Sequence, residues 1–192
     1  MRVIMLGEDP PHRQFMEALC DRAGWRIEDQ RIQPSGQGAA SGWVLQQFAE
    51  AHREVTSAKL PGLGLLVCID GDNVGFETRR RALLEQVNSH PSDPVAIVCP
   101  TWSIETWLQF FDGEPCNEIT SMKQRSGRHF RQMSYRHVGP GAPRERPPPK
   151  LRRESLQHLT DGFLDPKRRH DDLPALDRSR AQWDGLCARA RT

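Results

Sequence analysis

Apolar residues in this chain occur either in short unbroken runs or at every third or fourth position. The runs lie at 3–6, 63–69 and 95–99. Continuous apolar runs of four to eight residues, bounded by turn formers, predict strands of a parallel sheet covered on both faces. A less apolar stretch, 25–32, predicts a second, less buried strand. Helical spacing fills the intervals. Phe15, Ala18, Leu19 and Arg22 predict a helix over 11–23, opened by Pro10-Pro11 and stopped by Gly24. Val44, Leu45, Phe48, Ala51 and Val55 predict one over 43–58. A third over 76–88 turns Ala82, Leu83, Leu84 and Val87 inward and Arg79-Arg80-Arg81 mostly outward. A short fourth over 103–111 is capped by Ser103. Strands alternating with helices at this spacing imply an α/β fold, with a mainly parallel four-stranded, Rossmann-like sheet and right-handed crossovers.

The pattern changes further along. GPGAPRERPPPK at 139–150 holds five prolines and excludes regular structure. Helical stretches follow at about 152–163 and 176–190, where Leu176, Trp183 and Leu186 form an apolar stripe for the core or for a partner. The expected organisation is an α/β domain over 1–135, a Pro-rich linker over 136–150 and a helical C-terminal appendage over 151–192.

Charge sharpens this division. Residues 1–112 carry 10 Lys/Arg and 15 Asp/Glu; residues 113–192 carry 17 and 10. The basic excess peaks over 121–153, with ten basic residues and one acid, Glu145. Of the 27 basic residues 23 are arginine, whose planar fork suits phosphate. Five cysteines, two of them in apparent buried strands, and no CxxC or HxH cluster point to a reduced, cytoplasmic protein without structural zinc. No run of eighteen apolar residues marks a membrane span.

The strand over 63–69 ends in Asp70-Gly71-Asp72-Asn73. Ligands of parallel sheets gather beyond the carboxyl ends of the strands. In extended chain, residues two apart project to one side, so Asp70 and Asp72 aim together with Gly71 uncrowded between them. Glu8 follows the first strand and Glu105 the fourth, on the same edge. Each acid has a plainer reading, as a loop opening or as an acid at a positive helix end. Together they concentrate negative charge that a hard, oxygen-loving cation would offset, and Mg2+ or Mn2+ is expected. Beside a basic segment, such a site calls for a phosphodiester substrate. Arg79, Arg80, Lys123, Arg125, Arg128 and Arg131 are the candidates for holding nucleic-acid backbone. Trp102 and Trp107 fit core packing better than base stacking, and His12 fits a helix surface better than proton transfer beside Glu8.

A glutamate after strand one and Asp-x-Asp after strand three resemble the TOPRIM (topoisomerase–primase) domain. Pro100-Thr101-Trp102-Ser103-Ile104-Glu105-Thr106-Trp107-Leu108 is similar to the helix start of small prokaryotic TOPRIM-like proteins related to nuclease modules of the OLD family and of phage defence. The resemblance covers roughly 1–112. It implies a metal-dependent nuclease of DNA or RNA, with a separate ATPase partner in a defence system. Glu8 would be general base or metal ligand, Asp70 and Asp72 metal ligands, and Glu105 a further ligand or positioning group. Gly7 precedes Glu8 and Asp9 follows it directly, which departs from the usual first motif; Asn73 stands where some relatives carry a third acid. The chief rival is a non-catalytic binding or regulatory subunit of an ATPase or nucleic-acid complex, and a homo-oligomer is compatible with either. A haloacid-dehalogenase-type phosphatase would carry its Asp-x-Asp on the first strand. A glycosyltransferase would need a longer chain. No GxxxxGK[ST] loop is present for ATP hydrolysis by this chain itself.

Overall fold

The structure, a computed structural model, describes residues 1–34, 40–57, 62–72, 74–111, 116, 153–165, 167 and 173–191. The Pro-rich linker, Asn73 and the candidate phosphate contacts Lys123, Arg125, Arg128 and Arg131 lie outside the described residues.

The apolar runs form strands as their patterning requires. β1 (Arg2–Gly7), β3 (Leu63–Cys68) and β4 (Val95–Val98) are almost wholly buried, whereas β2 (Arg26–Ile32) is largely exposed. All pairings are parallel, in the order β2-β1-β3-β4. The α/β class and the parallel four-stranded sheet expected from the sequence are present. β2 forms one edge, and its exposed acids, Glu28 and Asp29, discourage pairing with another chain.

Four helices alternate with the strands: α1 (Pro10–Ala23), α2 (Ala40–Thr56), α3 (Gly75–Leu84) and α4 (Ile104–Phe111). The connection from β1 moves outward to β2, and the next returns past β1 to β3. Right-handed crossovers therefore place α1 and α2 on opposite faces and open a crevice between the ends of β1 and β3. α3 stops short of the expected 88. The N–H groups of Gln86 and Val87 bond back only three residues, so the helix tightens into turns ahead of Pro91.

Two further helices, α5 (Arg153–Leu164) and α6 (Pro174–Arg189), share the same core. Phe163 of α5 meets Phe15 edge-on at 5.3 Å and Trp107 at 5.8 Å. Trp183 of α6 lies against Trp25 at 4.7 Å. Leu176, Trp183 and Leu186, left between core and partner by sequence, are buried in the core. Arg180 joins the two helices: its guanidinium donates to the carbonyls of Gly162 and Phe163, completing the C-terminal end of α5 with a cation.

α6 also closes the sheet where a fifth strand would otherwise pair. The buried hydroxyl of Ser179 accepts the Cys99 amide just beyond β4 at 3.0 Å, and Arg189 donates to the Val95 carbonyl at 3.4 Å. Ser179→Ala should leave the Cys99 N–H buried without a partner and cost about 1–3 kcal/mol, read as a lower urea midpoint. A change below about 0.5 kcal/mol would mean that the edge amide finds another acceptor.

Candidate functional site

The crevice between β1 and β3 holds the acids. Glu8 follows β1 directly and is 7% exposed; Asp70 follows β3 by two residues and is 9% exposed. The two are joined, since the Asp70 amide donates to Glu8 Oε1 at 3.1 Å. Beyond β3 the ladder continues without strand geometry. Gly71 N–H donates to the Pro100 carbonyl at 2.7 Å and Asp72 N–H to the Trp102 carbonyl at 3.2 Å. The loops after β3 and β4 thus hold each other, and Gly71 makes this possible. A Cβ there would lie 2.3 Å from the Thr101 oxygen and 2.5 Å from the Pro100 oxygen. Gly71→Ala should force the loops apart and cost about 1–3 kcal/mol. A thermal midpoint unchanged within error would contradict that close approach.

His12 organises the site. It is completely buried, which overturns its reading as a helix-surface residue. Its Nδ1 lies 2.6 Å from Asp9 Oδ1 and its Nε2 3.0 Å from Asp70 Oδ1. Both partners are carboxylate oxygens, which only accept, so both ring nitrogens carry hydrogen and the ring is a cation. Burial alone would lower the His12 pKa; Asp9, with Cys68 and Asp70, outweighs it and carries the value well above the ordinary one. Burial likewise works against ionised Asp9, but His12 brings its pKa below the usual carboxylate value. Asp9 is also the N-cap of α1, accepting the His12 amide at 3.1 Å, so one side chain starts the helix and orients its imidazole.

Asp70 Oδ1 accepts twice, from His12 and from the amide of Ile104 at 3.1 Å. The second bond lets Asp70 complete the first turn of α4 from across the sheet, an arrangement favoured by the helix dipole. Glu8 has less compensation. Burial, then the nearby charge of Asp70, pushes its pKa up to about 8, with Asp72 adding to the effect and His12 opposing it.

Asp72 stands differently from the expectation. Its φ of 45° is left-handed, so the alternation of extended chain does not apply to it. Its Oδ2 accepts from Arg79 at 3.3 Å, and Arg79 Nε donates to the Asp70 carbonyl at 3.0 Å. Arg79, expected to face outward toward nucleic acid, faces the site instead. Arg80 lies apart, in a pocket toward the other end of β4. Glu105, in the first turn of α4, has its pKa raised by burial and then by Asp70, against a hydrogen bond from Ser103. Trp107 is core, as expected. Trp102 is partly exposed, with its buried indole Nε1 lacking a hydrogen-bond partner among the described residues.

Glu8 and Asp70 are therefore adjoining, Asp72 is held by Arg79 close enough to be felt at Glu8, and Glu105 feels Asp70. They do not form a ready-made cage. Among the described residues, no three His, Cys, Asp or Glu side chains group as ligands of one metal ion. No helix among them is long and apolar enough to cross a membrane. No protein-family model, curated protein or solved structure matches the chain.

Proposed function

We propose that this chain hydrolyses phosphodiester bonds of nucleic acid with a divalent metal, in the manner of the TOPRIM-like nucleases its sequence resembles. The observation that carries the reading is the junction of Glu8 and Asp70, two buried acids on neighbouring strand ends at the point where the strand order reverses. The donor set fits Mg2+ or Mn2+. It is all oxygen, and magnesium is commonly held by one or two carboxylates, with water and substrate phosphate completing its shell. Glu8 and Asp70 would hold it; four protein ligands are not required. When bound, such an ion lowers the pKa of its water and offsets charge on the phosphate.

The chain's own groups prepare that site. His12 and the Ile104 amide fix one oxygen of Asp70. Arg79 fixes the Asp70 carbonyl and Asp72. Glu8, the acid least compensated by its neighbours, keeps a proton near neutral pH and gives it up when a cation takes its place.

A second reading has its own support. Asp70 and Asp72 are already engaged by internal partners, as in a binding subunit that keeps the fold without catalysis. One experiment separates the two: incubation of plasmid, single-stranded DNA and RNA with Mg2+ or Mn2+, beside Asp70→Asn. The asparagine can still accept the Ile104 amide. Cleavage that needs metal and falls at least about a hundredfold in the variant is expected. Binding without cleavage of any substrate by the folded protein would favour the second reading.

A further inference from the structure

The sequence predicts two carboxylates aimed at a metal at the end of β3, yet one of them is held by a cation of the chain itself. Arg79 donates from Nη2 to Asp72 Oδ2 at 3.3 Å and from Nε to the Asp70 carbonyl at 3.0 Å. Both contacts fall on the loop that carries the acids, so the guanidinium is fixed against that loop from α3. Its side chain is only 14% exposed, and a guanidinium does not deprotonate, so its charge stays in the site at every working pH. Its remaining N–H groups bond no other described residue.

Charge decides how many metal ions such a site admits. Glu8, Asp9, Asp70 and Asp72 face two fixed cations, the imidazolium of His12 and the guanidinium of Arg79. One divalent ion balances the remainder when Glu8 is ionised. A second would leave a positive excess that Glu105 offsets only in part, and at Asp72 it would lie against Arg79, a like charge. In two-metal hydrolysis a pair of ions steadies the attacking and the leaving oxygen. An arginine with uncommitted N–H groups can supply one of these roles, by charge and by paired hydrogen bonds to phosphate. We propose that the site takes a single Mg2+ or Mn2+, at Glu8 and Asp70, and that Arg79 fills the second cation's place, donating to the substrate phosphate while Asp72 and the Asp70 carbonyl hold it. The proposal rests on the nuclease reading above and deepens it: Asp72 holds Arg79 and is not a metal ligand.

Counting Mn2+ bound to the full chain tests this, with free Mn2+ read by electron paramagnetic resonance. Ions held at the site are those lost in Asp70→Asn, which leaves weak surface binding out of the count. The parent should lose one ion. Arg79→Ala should hold one more than the parent at millimolar Mn2+, because Asp72 then lacks its cation, and adding Asp72→Asn should remove that extra ion. A merely structural arginine would not change the count in this way. The rate of cleavage by the parent should rise with the first power of Mn2+ below saturation. Two ions lost from the parent, or a second-power dependence, would overturn the single-ion proposal and leave the nuclease reading standing. No ion lost would remove both. An Arg79→Ala protein that melts as a folded chain and gains no ion would show that Arg79 does not occupy a cation's place. Should that variant fail to fold, the parent's count and rate order still decide.

Discussion

Glu8→Gln should make the metal-free protein more stable, not less, and should abolish the metal-dependent cleavage we propose. Glutamine retains an oxygen to accept the Asp70 amide, so the local geometry survives. What it removes is a carboxyl whose pKa is about 8 in the folded protein against an ordinary 4.5. A folded value raised above the unfolded one means that the folded state holds the proton more tightly. Stability therefore falls as pH rises from 4.5 toward 8, by about 1.4 kcal/mol per pH unit, and the loss is complete above 8, at up to about 5 kcal/mol. His12 adds a fall of the same sign as pH passes its own raised value, but it is present in both proteins and cancels in the comparison. Urea unfolding in EDTA at pH 6 and pH 9 should show the variant ahead at pH 9 with a shallower pH slope. Millimolar Mn2+ should stabilise the parent more at pH 9 than at pH 6, because the ion displaces a proton only at the lower pH, and should stabilise the variant much less. A Gln variant that is less stable at pH 9, or gains equally from manganese, would show that the acids are not in unrelieved opposition.

Replacing His12 should have the largest cost of any single change at the site. The imidazolium is the buried cation between Asp9 and Asp70, and its removal leaves Asp70 buried and uncompensated. Breaking a buried pair from one side typically costs about 3–5 kcal/mol. The folded pKa of His12 is raised, so its contribution is fully present below the unfolded value near 6.5 and is lost as pH climbs through the folded one. His12→Ala measured at pH 6 therefore shows the full effect, and the gap to the parent narrows at alkaline pH. Asp9→Asn should cost less, since the Asp9 side chain is 43% exposed and its charge is partly screened. The double variant His12→Ala with Asp70→Asn should lose less than the sum of its parts, because the second change removes the charge that the first left unpaired. Strict additivity would show that His12 and Asp70 do not form an ion pair. A loss under 1 kcal/mol at pH 6 would place the ring elsewhere.

The sequence read most clearly where burial leaves one solution. Leu63–Cys68 is apolar at every position except Gly64, so it can only be a strand covered on both faces, and the place of Asp70 follows from its end. His12 was harder because its type argues for a surface while its spacing argues for the core. The buried stripe of α1 is Pro11, His12, Phe15, Met16, Leu19 and Cys20, whereas Ala18 and Arg22, chosen from the same periodicity, lie outside it. The histidine sits three residues before Phe15 and seven before Leu19, and that spacing was the signal. Arg79 was hidden in the same way. A triple arginine reads as a solvated face, yet position 79 follows the buried Phe76 by three and precedes the buried Leu83 by four. The bond from Asp70 to the Ile104 amide spans 34 positions and arises from tertiary packing, so no local pattern carries it. The left-handed backbone at Asp72 was concealed too, because Asp-x-Asp after a strand looks the same whether the chain runs on extended or turns.

The closure of β4 by α6 has a consequence for how the chain comes off the ribosome. Cys99 and the Ser179 hydroxyl that accepts its amide are 80 positions apart, and Arg189 follows the Val95 carbonyl by 94. At about 5–20 residues per second, roughly 4–16 s of elongation separate the emergence of the strand from that of its cover. Throughout that interval the nascent sheet can have all four strands and both buried acids in place, yet present a bare row of backbone donors and acceptors along β4. That half-finished domain is the form most exposed to pairing with a neighbouring nascent chain on the same message.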